Sequence, residues 1–81
     1  MMEQHRGYWI SGSAVPGPPN TFYWESLGVI LKDGRKGSVV EVERIRDGGI
    51  TFSLAGLAEW YGMEISRMFV DECLRIDSRR P

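Results

Sequence analysis

The chain has little of what catalytic, cross-linked or membrane-spanning proteins carry. Its 81 residues include one cysteine and one histidine. A lone thiol cannot close an internal disulfide, so nothing indicates a secreted, cross-linked scaffold, and we expect a cytoplasmic location. No run approaches the roughly 18 consecutive apolar residues of a membrane span. The first six residues lack the apolar stretch of a signal peptide.

Strong charge of one sign is also missing. The chain has 10 Lys and Arg against 11 Asp and Glu, a formal net charge of −1. No global basic field is therefore present to attract a phosphate backbone, which removes the commonest support for nucleic-acid binding. A hydrophobic content of 42% is typical of a folded domain. Domains this short bury only about 60–65% of their unfolded surface, and oligomerisation often supplies the rest.

Arrangements of catalytic residues are equally scarce. His5 lies in the N-terminal segment, and Cys73 lies near the C-terminal end of a predicted helix, where a thiol is not activated. The carboxylates of Glu25, Glu41 and Glu43 are interpreted as a solvated strand surface rather than an acid/base pair. No metal-ligand spacing, Walker loop or dinucleotide fingerprint is found. We therefore expect no catalytic residue, no metal and no cofactor, and a protein that is not an enzyme.

Alternating apolar and polar residues predict four strands, which cover residues 7–15, 21–32, 38–46 and 49–52. A proline-rich connector follows the first strand, and Asp47-Gly48 predicts a tight hairpin before the last one. The second strand has its cleaner apolar set at every other position. We expect that set to face the core: Leu27, Val29 and Leu31.

A helix is predicted over residues 54–76, with Ser53 as its N-cap. The expected fold is α+β: a three- or four-stranded antiparallel sheet with one long C-terminal helix packed on one face. It forms a single domain over residues 1–81, with a flexible N-terminus at 1–6 and a polar tail at 77–81. A helix-turn-helix is the alternative, but the apolar period continues across Gly62, which favours one helix.

The predicted helix carries two apolar stripes. One is expected to lie on the sheet: Leu54, Ala58, Tyr61, Ile65, Met68 and Glu72. The other has heptad-like spacing and is expected to face away from the sheet: Gly56, Trp60, Met63, Arg67, Val70 and Leu74. Because exposed apolar patches are unusual in monomers, the second stripe predicts a homodimer interface. A kink at Gly62 that merges the two stripes is the alternative.

Two further surfaces remain open as binding sites. Trp9, Tyr23 and Trp24, with the proline-rich connector as a wall, predict a surface for a small ligand or a peptide. Cross-strand aromatic packing explains the same residues without a ligand. A third hypothesis is nucleic-acid binding through a basic hairpin. Its residues are Arg35, Lys36, Arg44 and Arg46.

Thr51-Phe52-Ser53, followed by a long amphipathic helix, resembles small uncharacterised bacterial proteins carried on mobile elements such as integron cassettes. The resemblance covers about a third of the chain and includes no functional residues. It implies an accessory, non-enzymatic role. Together, these observations predict a non-catalytic homodimeric interaction module.

Overall fold

The computed structural model describes residues 2–78 as an antiparallel sheet with one helix on one face. The strands are β1 (Met2–His5), β2 (Tyr8–Pro16), β3 (Trp24–Asp33) and β4 (Val39–Phe52), and they lie in the order β1-β2-β3-β4. A short 3₁₀ turn, Arg35–Gly37, connects β3 to β4, and the helix α1 spans Ala55–Ser78. This confirms the predicted α+β class.

The N-terminus is part of the sheet, so the prediction of a flexible segment at residues 1–6 is wrong for Met2–His5. These residues pair with β2, from Met2 opposite Ser11 to His5 opposite Tyr8. Arg6 and Gly7 form the two-residue turn and have φ angles of 52° and 88°. Positive φ at both central residues is what a tight hairpin requires, and Gly7 adopts it without steric cost.

The last two predicted strands are one long edge strand. The predicted hairpin at Asp47-Gly48 is a bulge instead, with residues 48–51 opposite Glu25 alone. Asp47 Oδ1 accepts a hydrogen bond of 3.0 Å from the Gly49 amide, which turns the backbone locally. A second irregularity leaves Val42 as an extra residue between the pairs that Glu41 and Glu43 make with β3.

α1 lies directly on the backbone of β2 and β3. A Cβ atom at Gly12 would overlap the carbonyl oxygen of Glu59, and one at Gly62 would lie 2.6 Å from the carbonyl oxygen of Leu27. Ser26 donates a hydrogen bond of 2.7 Å to the Ala58 carbonyl. Glycine and serine therefore allow a close approach that larger side chains would prevent.

The core is small and lies under the two halves of the helix. Its buried large side chains are Ile10, Ile30, Met63 and Val70, with Tyr8, Ile45, Phe69 and Leu74 packed around them. The prediction that Leu27, Val29 and Leu31 face the core is wrong. Ser26, Gly28 and Ile30, the alternate set on the same strand, are buried under α1 instead.

The helix is continuous across Gly62, as predicted, and this removes the kinked and helix-turn-helix alternatives. Its first turn begins after Leu54, whose carbonyl accepts hydrogen bonds from the amides of Leu57 and Ala58. Leu54, not Ser53, therefore occupies the position before the first turn. The helix also extends through Ser78, into the predicted tail, whose last three residues lie outside the described part of the chain.

Candidate interaction surface

The side of the sheet turned away from α1 is called the open face here. It is defined by the residues that alternate with the buried ones and by their directly paired neighbours. Three neighbouring rows form its centre: Trp9, Leu31 and Glu41; Ser11, Val29 and Arg44; Ser13, Leu27 and Arg46. No element within residues 2–78 covers this side of the sheet.

An apolar stripe runs along the middle of the open face. Leu27, Val29 and Leu31 follow one another on β3, and Trp9 stands beside Leu31 on β2. All four are half-buried only by their sheet neighbours. At one end of the stripe lies an apolar hollow of about 430 Å³. Its lining residues are Met2, Trp9, Leu31, Asp33 and Val39. The open face therefore offers a continuous apolar surface to another layer.

Paired charges border this stripe on the β4 side. Arg44 donates a hydrogen bond of 2.7 Å to Glu41, which raises the pKa of the Arg44 guanidinium. Arg46 lies 3.2 Å from Glu25, a carboxylate only 13% exposed, and also donates to the Pro16 carbonyl. The border thus carries two acids and two bases, so it presents no excess of either charge.

The helix stripe predicted as the dimer interface does not form a common surface. Met63 is 4% exposed and Val70 is 2% exposed, and both pack in the core against the sheet, so their predicted outward orientation is wrong. Leu74 packs against the same core. Trp60 does face solvent, at 60% exposure, as does Gly56. The prediction is wrong because the buried side of α1 lies between the two predicted stripes, so each stripe is partly buried and partly exposed.

Arg67, the remaining member of that stripe, is held by carboxylates. It lies 2.5 Å from Glu3 on β1 and 3.6 Å from Glu64 one turn earlier in the helix. The hydrogen bond with Glu3 is the main reason that the pKa of Arg67 is raised. Arg67 therefore ties the helix to the edge strand rather than extending to a second copy.

The predicted stripe on the sheet side is displaced as well. Of its members, Ala58 is fully buried, whereas Leu54 and Met68 are more than 60% exposed. Tyr61 is half-buried and donates a hydrogen bond to Asp47, and its ring centroid lies 5.4 Å from that of Phe52 with the two rings tilted by 45°. Burial, followed by that hydrogen bond, raises the pKa of Tyr61. Tyr61 therefore lies at the margin of the helix–sheet contact.

The three aromatic residues predicted to form a ligand surface are separated. Trp9 pairs with Leu31 at one end of the β2–β3 hairpin, whereas Trp24 pairs with Pro16 at the other end and on the opposite face. Tyr23 and Trp24 instead line a hollow of about 380 Å³ formed by the proline-rich loop. Phe22 in that loop is 98% exposed. A site built jointly from Trp9, Tyr23 and Trp24 is therefore excluded by the fold.

The four basic residues of the nucleic-acid hypothesis do not form one cationic patch. Arg35 and Lys36 lie on the 3₁₀ turn between β3 and β4, where Lys36 has a φ of 58°. Arg44 and Arg46 lie on the open face and are paired with Glu41 and Glu25. Because Arg44 and Arg46 are paired with carboxylates, the four basic residues do not provide a site for a phosphate backbone.

His5 and Cys73 have separate environments. His5 Nε2 donates a hydrogen bond of 2.6 Å to Asp71, and Arg6 donates one of 3.1 Å to the same oxygen. These hydrogen bonds, His5 first, lower the pKa of Asp71. They fasten β1 and its turn to the helix. Cys73 is a half-buried free thiol. Within residues 2–78, no three His, Cys, Asp or Glu side chains are grouped closely enough to hold a metal ion.

The residues that carry the helix–sheet contact were missed in the sequence. Small residues recur every four positions along α1, at Ala58, Gly62 and Ser66, followed by Val70. They meet Gly12, Ser26 and Gly28 on the strands. Residues spaced by four lie on one face of a helix, whether their side chains are small or large. This pattern is the signal that identifies the buried face.

Comparison with known proteins adds no assignment. No protein-family model matches the chain, and no curated protein or solved structure matches it either. In the part of the chain that the structure describes, no helix is both long and apolar enough to cross a membrane.

Proposed function

We propose that this protein is a non-catalytic homodimeric interaction module whose two copies pack through their open faces. The observation that carries the proposal is the position of the apolar stripe. Leu27, Val29 and Leu31 lie on a sheet face that no other element of residues 2–78 covers. Two sheets packed face to face, about 10 Å apart, would bury that stripe between them.

The chain exposes more surface than a compact monomer of its length, and this excess supports a second copy. The chain exposes 5709 Å². A compact monomer of this length exposes about 4,900 Å². The surplus of about 800 Å² is close to what each partner buries in a standard-size interface. The radius of gyration is 14.1 Å, compared with about 12 Å for a compact domain of this length.

Charge favours a second copy over an unlike partner. The border of the open face contains Glu41 and Glu25 as well as Arg44 and Arg46. A surface with both signs can face its own copy without net repulsion, whereas a surface of one sign requires a partner of the opposite charge. The accessory role implied by the mobile-element resemblance is compatible with such a module, as is the cytoplasmic location expected for its free cysteine.

Two other surfaces are weaker candidates for the same contact. The outer edge of β4 is bulged at Val42 and at residues 48–51. Bulges of this kind protect an edge strand from pairing with another chain. On the outer side of α1, Glu64, which pairs with Arg67, lies among the exposed apolar residues Leu54, Leu57, Trp60 and Met68. The edge of β4 is bulged and the outer side of α1 carries an ion pair among its apolar residues, whereas the stripe Leu27, Val29 and Leu31 contains no charged residue.

The test is light scattering coupled to size-exclusion chromatography over a range of concentrations. We expect the wild type to be a dimer and Val29→Glu to be a folded monomer, because a charge buried at the centre without a partner is strongly destabilising. Leu57→Glu is the matched control, since Leu57 is 47% exposed on the opposite side of the molecule. It should remain dimeric. A wild type that is monomeric at high micromolar concentration would refute the proposal.

A second candidate function is binding of a small apolar ligand in the loop hollow. The hollow of about 380 Å³ is lined entirely by residues 16–24, which include no charged side chain. Tyr23 and Trp24 would contact such a ligand. Binding should then quench the fluorescence of a variant that retains Trp24 as its single tryptophan. A variant that retains only Trp9 should show no change.

A further inference from the structure

We propose that the two copies lie face to face with their strands reversed, related by a twofold axis that crosses the strands over Val29. This inference rests on the homodimer proposed above and specifies how its interface is aligned. It is carried by two independent series of side chains, one along β2 and one along β4. Both series have their midpoint in the row that contains Val29.

Side-chain size provides the first series. Along the open face of β2, Trp9 lies two residues before Ser11 and Ser13 lies two residues after it. Ser11 is paired with Val29, so Ser11 lies beside the proposed axis. Reversal of the strands then places Trp9 over Ser13 of the second copy, on both sides of the axis. A large ring facing a small side chain is the complementarity that close packing requires.

Charge provides the second series. On β4, Glu41 is level with Leu31, Arg44 with Val29, and Arg46 with Leu27. The same axis places Glu41 over Arg46 of the second copy, again twice in the dimer. Arg44 lies in the row of the axis and therefore near Arg44 of the second copy, and each of the two is paired at 2.7 Å with the Glu41 of its own chain. Opposite charges facing each other across an interface fix its alignment.

Only the three central rows determine this alignment. Packed sheets cross at roughly 30°, so rows farther from the axis swing out of register. Glu25 and Asp33, each four residues from Val29, therefore do not face each other directly. Glu25 is also held by Arg46 at 3.2 Å within its own chain.

A twofold axis along the strands gives a poorer match. It lays β1 of one copy over β4 of the other, because those strands are the two edges of the sheet. Arg44 would then face Met2 of the second copy, and Glu41 would face Gln4. Neither charge gains an opposite partner. The crossing axis is therefore the one that both series favour.

A charge-reversal exchange tests the alignment. Glu41→Arg alone places arginine against Arg46 of the second copy, and Arg46→Glu alone places glutamate against Glu41. We expect each variant to dimerise about tenfold or more weakly than the wild type. A mixture of the two variants restores both contacts, so heterodimers should exceed homodimers. Native mass spectrometry of one isotope-labelled and one unlabelled chain measures this preference.

The control pair is Glu72→Arg with Arg75→Glu, an ion pair on α1 away from the open face. Mixing these two should give the statistical proportion of heterodimers. If the open-face variants also form heterodimers only in the statistical proportion while the wild type is a dimer, the proposed alignment is wrong but the proposed homodimer is not. If the wild type is a monomer, both proposals fail together. Far-UV circular dichroism confirms that each variant is folded.

Discussion

The two faces of the sheet have opposite compositions. Beneath α1 the strands carry mainly small side chains, among them Gly12, Ser26 and Gly28, and only two large ones are fully buried there, Ile10 and Ile30. The open face carries Leu27, Val29, Leu31 and Trp9. A helix that approaches strand backbones this closely leaves no room for large side chains between them. The difference shows that the larger apolar residues of the strands lie mostly on the face that α1 does not cover, which is why we propose a partner for that face.

The largest effect should come from filling the covered face. Gly12→Val introduces side-chain atoms where even a Cβ overlaps the Glu59 carbonyl, so we expect the helix not to dock and cooperative unfolding to be lost. Ser13→Val, the next residue and on the open face, should leave the domain folded because valine favours strands. Thermal unfolding followed by circular dichroism distinguishes the two. Equal stability of both variants would contradict the close helix–sheet contact.

A cavity on the covered face should have the next largest effect. Ile30 is fully buried, and Ile30→Ala should lower the free energy of unfolding by about 2–5 kcal/mol in urea titrations. Val29→Ala, one residue away, removes atoms from the open face instead. Its main effect should be a weaker dimer, measured by analytical ultracentrifugation. The comparison breaks down if Val29→Ala destabilises the monomer as much as Ile30→Ala does.

The buried hydroxyl under the helix should contribute less. Ser26 donates a hydrogen bond of 2.7 Å to the Ala58 carbonyl and is fully buried. We expect Ser26→Ala to lower the free energy of unfolding by about 1 kcal/mol. The control is Ser13→Ala, for which a change within about 0.5 kcal/mol is expected. No loss in Ser26→Ala would show that this hydrogen bond adds nothing to helix docking.

The smallest effect on stability should come from the contact between the edge strand β1 and the helix, which His5, Arg6 and Asp71 form. Hydrogen bonds from His5 and Arg6 lower the pKa of Asp71 below its ordinary value of 3.8. A lowered folded-state pKa stabilises the fold above that ordinary value, and the contribution is lost as the pH falls toward the lowered pKa. Asp71→Asn should therefore be less stable than wild type at neutral pH. The difference should shrink on acidification below about pH 4. If the difference in stability between Asp71→Asn and the wild type stayed constant as the pH is lowered, the proposed role of Asp71 would be wrong.

The fold class and the continuous helix could be predicted because their signals are local. Strand alternation and an apolar period unbroken at Gly62 depend only on neighbouring residues. The edge strand β1 was missed because a short polar strand resembles a terminal tail. At Asp47-Gly48 the sequence predicts a hairpin where the structure has a bulge, because both begin with the same turn residues.

The face assignments failed for a different reason. Periodicity shows which residues share a face, but not which face is covered. Leu27, Val29 and Leu31 form the more apolar set, so hydrophobicity alone selects them as core. The covered face was decided by steric fit, which depends on glycine and serine from β2, β3 and α1 meeting in space. The dimer stripe on α1 was displaced for the same reason, since Met63 and Val70 flank those small residues.

The central claim is that the open face is covered in solution. Methyl NMR with a soluble paramagnetic agent tests it most directly, because the agent broadens only the methyl groups that it can reach. At high protein concentration, the methyl groups of Leu27, Val29 and Leu31 should be protected nearly as well as those of Ile30, while Leu57 is strongly broadened. Broadening of Val29 equal to that of Leu57 would contradict the account.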